Sequence, residues 1–422
     1  MQTYGYRYFI CILIFCGYLL VYFQRLCPAV IALDIQAAFG VNETLLGVLA
    51  SAYFYPYAIM QIPSGLLADA WGPRKSVSIF FLLAALGATL MGLTSDLTMA
   101  IVGRVMVGIG VSTLFVSNFK LFSEWFTPKQ FVIMGGFFMA TGGVGALISS
   151  APLAWISNLI GWRMTLVAVG AVTLLMSLLI YCFVRNRPTD IGLSPLRPHD
   201  NMAINHNPTL WKGFKHVITS KRFWPLAIWA FFDTGISFAL GGLWGGPFLI
   251  KVYSLSKTET GGVLSMYAAS LIIGGPLMGW IANRFGRKIV FIGCSVLLTI
   301  VCGIFYFFTY QLNLFCLYIL FFFIFLSGGP VGPVQAAASK ELFPLAIAGT
   351  SIGTVNIFPF FGGAFFQVFV GALITRAESA GSTSALAGYH DMFTAYLIGA
   401  IISLIAACFV KETFGKLETA MN

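Results

Sequence analysis

The stretch Gly65–Lys75, Gly-Leu-Leu-Ala-Asp-Ala-Trp-Gly-Pro-Arg-Lys, recurs near the midpoint of the chain as Gly279–Lys288, Gly-Trp-Ile-Ala-Asn-Arg-Phe-Gly-Arg-Lys. Gly65 aligns with Gly279, Asp69 with Asn283, Gly72 with Gly286 and Arg74 with Lys288. All lie at one offset of roughly half the chain, the signature of an internal duplication. Each copy ends an apolar run. The fold must therefore present one short polar turn twice, at equivalent places in two related halves.

The make-up of those runs decides the solvent. Hydrophobic residues make up 59% of the chain and charged residues 9%, with a mean hydropathy of +0.89, whereas a soluble domain carries roughly a quarter charged residues. The chain reads as a polytopic membrane protein. The first apolar segment, Phe9 to Val21, continues for a full span without stopping at a small-residue cleavage site, so it is a first helix and not a signal peptide. Cysteines such as Cys11, Cys16, Cys294 and Cys302 lie inside apolar runs, with no CxxC or Cys/His spacing. They read as helix-packing residues, and neither metal nor cofactor is expected.

At about 20 apolar residues per span, the pattern predicts twelve helices. The first six run over 8–32, 45–67, 76–94, 97–121, 131–155 and 164–184, and the second six over 223–250, 261–282, 289–308, 314–338, 347–374 and 392–409. Residues 1–184 and 223–422 then form two six-helix domains. The polar stretch 185–222, rich in Pro, Asn, His and basic residues, reads as a linker between them. One side of the membrane collects Arg7, Arg74, Lys75, Arg185, Arg187, Lys212, Arg284, Arg287, Lys288 and Lys340; the other holds Arg163, Lys251, Lys257 and Arg376. This asymmetry places both termini and the linker in the cytoplasm, and an even number of helices agrees. The net charge of +10 thus has a membrane explanation and calls for no nucleic acid. The expected setting is the bacterial inner membrane, with the chain a monomer in the lipid bilayer.

The duplicated turn after the second and eighth helices is joined by Arg104-Val-Met-Val-Gly108-Ile-Gly110 in the fourth and by the run from Gly142-Gly-Val-Gly145 to Pro152 in the fifth. With the six-linker-six layout, these motifs resemble the major facilitator superfamily over the whole chain. Tyr22-Phe-Gln-Arg25, Gly242-Leu-Trp-Gly-Gly-Pro247 and Gly353-Thr-Val-Asn356-Ile-Phe-Pro359 resemble bacterial permeases of the organic-anion and phagosomal amino-acid type within it. The resemblance implies an all-α fold of two pseudo-symmetric six-helix bundles around a cavity that opens alternately to each side. It also implies gating roles for Gly65, Asp69, Gly72, Arg74, Arg104, Gly279, Asn283, Arg284 and Gly286. The chain departs from the family pattern at Ala70, Pro73 and Asn283, which leaves Asp69, with Arg74 nearby, to carry a charge-based latch. A plain tight turn is the other reading.

An ionisable group within a span costs a few kcal/mol on insertion scales, so each calls for a reason. Arg25 shares a stripe at helical spacing with Tyr18, Tyr22 and Ala29. Its planar fork suits a substrate carboxylate or phosphate bound bidentately; the alternative is an arginine paired with a helix carboxylate for packing. Asp233 is followed on one face by Ser237, Gly241 and Trp244. It is the candidate proton carrier, with Arg25 as a competing partner across the cavity, or else a static salt bridge or helix hydrogen bond. Arg104 is expected to hold a conformational state through carbonyls or a buried acid, and Lys120 to snorkel to the interface. Tyr53, Tyr57 and Gln61 share a face of the second helix, and Asn356, Phe360, Gly363 and Gln367 one of the eleventh. Together with Trp244 they supply the few placed polar and aromatic groups of a small-molecule site. Gly274-Gly-Pro276 and Gly328-Gly-Pro330-Val-Gly-Pro333 read as bends.

No phosphate loop, HExxH or GxSxG motif appears in the sequence, so neither ATP-driven transport nor intramembrane enzymology is expected. The reading is a secondary transporter for a small carboxylate-bearing solute such as an amino acid, peptide or organic acid, with proton-coupled uptake. The alternatives are export or import of a polycarboxylate such as a siderophore, uncoupled exchange, and, least favoured, a receptor that kept the fold.

Overall fold

The computed structural model describes residues 2–192, 210–344, 347–379 and 386–413. They fold into helices joined by short connections, and no strand occurs among them. In chain order the helices are α1 (Gln2–Phe39), α2 (Glu43–Ile59), α3 (Gln61–Leu93), α4 (Leu97–Trp125), α5 (Pro128–Ile148) and α6 (Ala151–Phe183). They continue with α7 (Leu210–Thr219), α8 (Phe223–Ala239), α9 (Gly245–Tyr253), α10 (Lys257–Leu264), α11 (Met266–Phe285), α12 (Arg287–Phe308), α13 (Leu314–Gly328), α14 (Gly332–Glu341), α15 (Ala348–Ser379) and α16 (Leu386–Phe409).

Ten described stretches are long and apolar enough to cross a bilayer, and the pair Glu43–Ile59 and Gln61–Ala68, bent by 49°, makes an eleventh passage. A shorter apolar helix, Ile133–Ile148, precedes Ser149 and Ser150 and leads into α6. Two of the expected turns, in the gaps 68–75 and 156–163, appear as breaks within longer helices. α3 and α6 each contain a glycine outside helical space, Gly72 (φ 78, ψ 157) and Gly161 (φ 79, ψ 154), so each is two helices meeting at a tight turn. The fifth passage, expected over 131–155, breaks at Ser149–Ser150 and runs on to Gly161. Large apolar side chains such as Phe307, Phe315 and Phe409 stand exposed on the outside, as a lipid-facing surface requires.

The duplicated turn has the same construction in both copies. Gly72 and Gly286 both have positive φ, 78 and 105, where a side chain is strained. The space a Cβ would take is filled by the Asn186 side chain in the first copy and the Glu412 carboxylate in the second. Asn186 Oδ1 accepts the Arg74 N–H at 2.9 Å, and the Glu412 oxygens accept the N–H groups of Arg287 and Lys288, each at 3.0 Å. A polar side chain just beyond the last helix of each half thus fastens that half's turn. Gly72→Ala is expected to cost about 1–3 kcal/mol from backbone strain alone, read as a lowered midpoint of thermal unfolding in detergent; an unchanged midpoint would show that the turn relaxes freely.

The basic residues of the turns differ from expectation. Arg284 is exposed, with its guanidinium 5.7 Å from the Phe285 ring centroid. Arg287 instead donates to Asn283 Oδ1 at 2.7 Å and pairs with Glu341 at 3.2 Å. Register explains the switch: Arg287 opens α12 beside the turn, whereas Arg284 lies on the outer face of α11. Arg74 donates from Nε to the Tyr181 carbonyl at 2.7 Å; the Asp69 side chain lies outside the described residues. Gly65 and Gly279 have room for a Cβ, so space does not demand glycine there. α11 runs unbroken through Pro276, against the expected bend, while a single 3₁₀ turn, Gly329–Val331, separates α13 from α14. The stretch read as a linker contains α7, whose Gly213 packs on Ile347 and Thr350.

The two ends of the molecule are packed differently. At the end opposite the termini, main chain meets main chain: a Cβ on Gly47 would strike the Gln367 carbonyl and one on Gly246 the Ala29 carbonyl. Ion pairs tie the same surface, Lys251 to Glu43 at 2.8 Å and to Glu378 at 3.7 Å, and Lys257 to Asp34 at 2.5 Å. At the end that carries the termini, Gly332 and Gly349 meet nothing within 4 Å of a Cβ and are exposed.

Candidate functional site

Arg25 lies in the middle of α1 and is 3% exposed. Its guanidinium carbon lies 4.6 Å from the Tyr22 ring centroid, 5.1 Å from Tyr57, 5.0 Å from Phe360 and 5.5 Å from Phe238. α1, α2, α8 and α15 therefore converge on one cation. Nε donates to the Tyr53 hydroxyl at a long 3.4 Å. A guanidinium has five N–H donors, and the others find no partner among the described residues, nor does a carboxylate come within ion-pair distance. The rings offset part of the cost of burying the charge, about 0.5–2 kcal/mol each, and leave the hydrogen-bonding fork unused. The site is complementary to an anion that brings its own acceptors.

A second buried cation stands behind the first. Arg104 of α4 is 3% exposed, donates from Nη1 to the Gln24 carbonyl at 2.7 Å, and lies 4.9 Å from the Tyr53 ring centroid. Tyr53 thus offers its hydroxyl to Arg25 and its ring face to Arg104. Nε and Nη2 of Arg104 find no nitrogen or oxygen partner among the described residues. A lone buried charge is costly unless compensated, and here two of them flank one tyrosine.

The expected polar residues fall above and below this cation. One turn toward the termini end, Asn356 Nδ2 donates to Gln61 Oε1 at 2.9 Å, bridging α15 and the start of α3 and closing that side. One layer toward the other end, the Gln367 side chain is fully buried and both its amide atoms lack partners; it lies against Gly242, beside Phe54. Phe54 stacks in turn on Phe238 and Phe360, at 5.8 and 6.3 Å between centroids. Trp244 is not a free ring in a cavity: it is fully buried, and its indole N–H donates to the Gln367 carbonyl at 3.0 Å.

Asp233 is not brought to Arg25. It is fully buried, and its Oδ2 accepts from Ser295 of α12 and Ser403 of α16, each at 3.1 Å, while Oδ1 has no partner. Trp229 donates to Ser295 at 2.9 Å and closes the cluster. Five residues separate Asp233 from Phe238, which faces Arg25, so the two point to well-separated sides of α8. The stripe Asp233, Ser237, Gly241 and Trp244 also splits, because residues Leu240–Trp244 form a π-turn whose wider winding rotates the rest of the span relative to α8. Ser237 meets α13, Gly241 lies under the Tyr267 ring, and Trp244 meets α15. Lys120, half-buried, donates to the Ala68 carbonyl at 2.9 Å. Phe238 and Tyr267 went unread in the sequence, since one more aromatic in an apolar run carries no mark of its position.

The sequence profile of the Major Facilitator Superfamily matches residues 14–367. The chain is 28% identical over 387 residues to the cis,cis-muconate transport protein of Acinetobacter baylyi, covering 90% of this chain and 88% of that one. It is 24% identical over 306 residues to the probable L-galactonate transporter of Escherichia coli K12, 69% and 67% of the two chains. The crystal structure of a D-xylose–proton symporter superposes with a TM-score of 0.75 at 17% identity, covering 97% of this chain and 99% of that one, which shows a shared fold. With a profile match of that extent on a chain with at least ten apolar membrane-length helices among the described residues and a duplicated turn, the protein belongs to the major facilitator superfamily and is a transporter, not an enzyme.

Proposed function

We propose that this protein carries a small organic anion across the bacterial inner membrane by alternating access, with residues 1–184 and 223–422 moving as two bundles and Arg25 as the anchor for the cargo. The observation that carries the reading is the Arg25 guanidinium, buried among residues of four helices with its fork unused and no carboxylate in reach. An amino acid or peptide fits less well, because its ammonium group would need an acid and no carboxylate pairs with this cation; the buried acid, Asp233, is turned to α12 and α16. Relatives named for muconate and galactonate are in keeping with an organic acid. The basic side, with both termini, is assigned to the cytoplasm, and the chain works as a monomer. The test is uptake of labelled organic acids and amino acids into proteoliposomes, with and without an inward proton gradient. Uptake of an organic acid that is lost in Arg25→Ala is expected; uptake that survives this change would remove Arg25 from the cargo site.

Proton coupling is assigned to Asp233. It is a buried acid with one unpartnered oxygen and no cation beside it, in the part of the molecule where helices α8, α12 and α16 meet. Asp233→Asn keeps the serine hydrogen bonds in kind and removes the exchangeable charge. Gradient-driven accumulation should disappear while exchange of internal for external substrate continues; accumulation at the native level would place coupling elsewhere.

A further inference from the structure

Beside the Arg25 cage, a small cavity opens between the two halves of the chain, lined by Leu26 and Val30 of α1, Ser149 and Ser150 after α5, Leu264 of α10 and Tyr267 of α11. Its lining residues are apolar or glycine apart from Ser149, Ser150 and Tyr267. Ser149 and Ser150 donate theirs to the carbonyls of Ala146 and Leu147, at 2.8 and 2.5 Å, so their oxygens remain free to accept. The Tyr267 hydroxyl is different in kind: the residue is 2% exposed and its oxygen has no hydrogen-bond partner. A buried hydroxyl without a partner is unfavourable, and native interiors rarely keep one without a use.

The tyrosine cannot turn elsewhere to find a partner. A Cβ on Gly241 would come within 2.8 Å of its ring, and Phe325 packs against it at 4.8 Å between centroids. The π-turn places Gly241 there, so the distortion of the span and the fixed aim of the phenol belong together. Gly241 of the cavity lining stands three residues beyond Phe238, which faces Arg25 at 5.5 Å, so the cavity lies about one turn from the residue proposed to hold the anionic head.

We propose that Tyr267 determines specificity: with Ser149 and Ser150 it receives a hydroxyl group on the uncharged part of the anion, so that hydroxylated acids are preferred over their deoxy counterparts. The proposal rests on the reading of Arg25 as the anion anchor. A substrate hydroxyl would accept from Tyr267 and donate to a serine oxygen, satisfying both sides. A deoxy analogue would leave the phenol buried and unpaired, the condition under which sites discriminate most strongly.

The test is calorimetric binding in detergent of two matched pairs, gluconate against hexanoate and malate against succinate, for the native protein, Arg25→Ala, Tyr267→Phe and Ala146→Leu. The native protein should bind the hydroxylated member of a pair about tenfold more tightly. Tyr267→Phe should bring the two members level by weakening only the hydroxylated one, and retained binding of the deoxy acid reports an intact fold. Ala146→Leu, which narrows the same cavity, should weaken gluconate more than succinate. Binding that Arg25→Ala abolishes, with a hydroxyl preference that Tyr267→Phe leaves in place or with no preference at all, overturns the role of Tyr267 and leaves the anion site standing. Absence of any Arg25-dependent binding overturns both.

Discussion

Arg25→Lys is expected to weaken binding of the organic anion by on the order of a hundredfold, nearly as much as Arg25→Ala, although lysine keeps the charge. The environment of Arg25 suits a flat, delocalised cation: four aromatic rings lie within 5.5 Å of its guanidinium carbon, and the Tyr53 hydroxyl meets Nε at the edge. An ammonium group is a compact, strongly hydrated point charge that offers a carboxylate no two-pronged fork. Buried here, it gives up its hydration without the stacking that offsets the loss. Removing one side of a buried, hydrogen-bonded charge pair costs about 2–5 kcal/mol, which sets the size of the effect. Calorimetric binding of the transported acid, with thermal unfolding as a fold control, decides the matter. A lysine variant that binds within threefold of the native protein would mean that charge alone holds the cargo.

Arg25 was legible in the sequence because the bilayer makes an intramembrane charge expensive, so its mere presence is a signal. Tyr22 and Tyr57 were legible as members of stripes at helical spacing. Phe238 and Phe360 complete the cage, yet the chain holds 41 phenylalanines, and nothing local distinguishes these. The pairing of Asp233 with Arg25 was a question of helix rotation, and two facts absent from any window of sequence settled it. Ser295 and Ser403 come from α12 and α16, far along the chain, to claim the carboxylate, and the π-turn at Leu240–Trp244 breaks the periodicity on which the stripe was drawn. The duplicated turn was found from its glycines. Its fasteners, Asn186 and Glu412, do not align with each other at the repeat offset, so inspection of the repeat could not reveal them. The turn between the fifth and sixth passages falls at Gly161, inside the expected gap 156–163.

Gly246→Leu is expected to lower transport by on the order of a hundredfold while sparing anion binding, because it acts on closure of the end opposite the termini. Gly246 lies in the first turn of α9, and a Cβ there would fall on the Ala29 carbonyl of α1. The obstacle is main chain, which cannot rotate aside as a side chain can. Inserting bulk into a well-packed core costs about 1–3 kcal/mol even where side chains can adjust, so the closed arrangement should become a minority state and the cycle should stall with this end open. The ion pair between Lys251 and Glu378 at the same end matters less, since the two are 26% and 35% exposed and such pairs contribute on the order of 1 kcal/mol or less. Glu378→Gln should therefore leave transport within a few-fold of native. The readout that separates closure from cargo is thiol accessibility at Thr375→Cys in a background without other reactive cysteines. Thr375 meets Thr44 across α15 and α2, with 3.0 Å between hydroxyl oxygens, so a membrane-impermeant reagent should label it slowly in the native protein and rapidly in Gly246→Leu. Rapid transport in the leucine variant, or labelling as slow as in the native protein, would show that this contact between α9 and α1 is not what seals the far end.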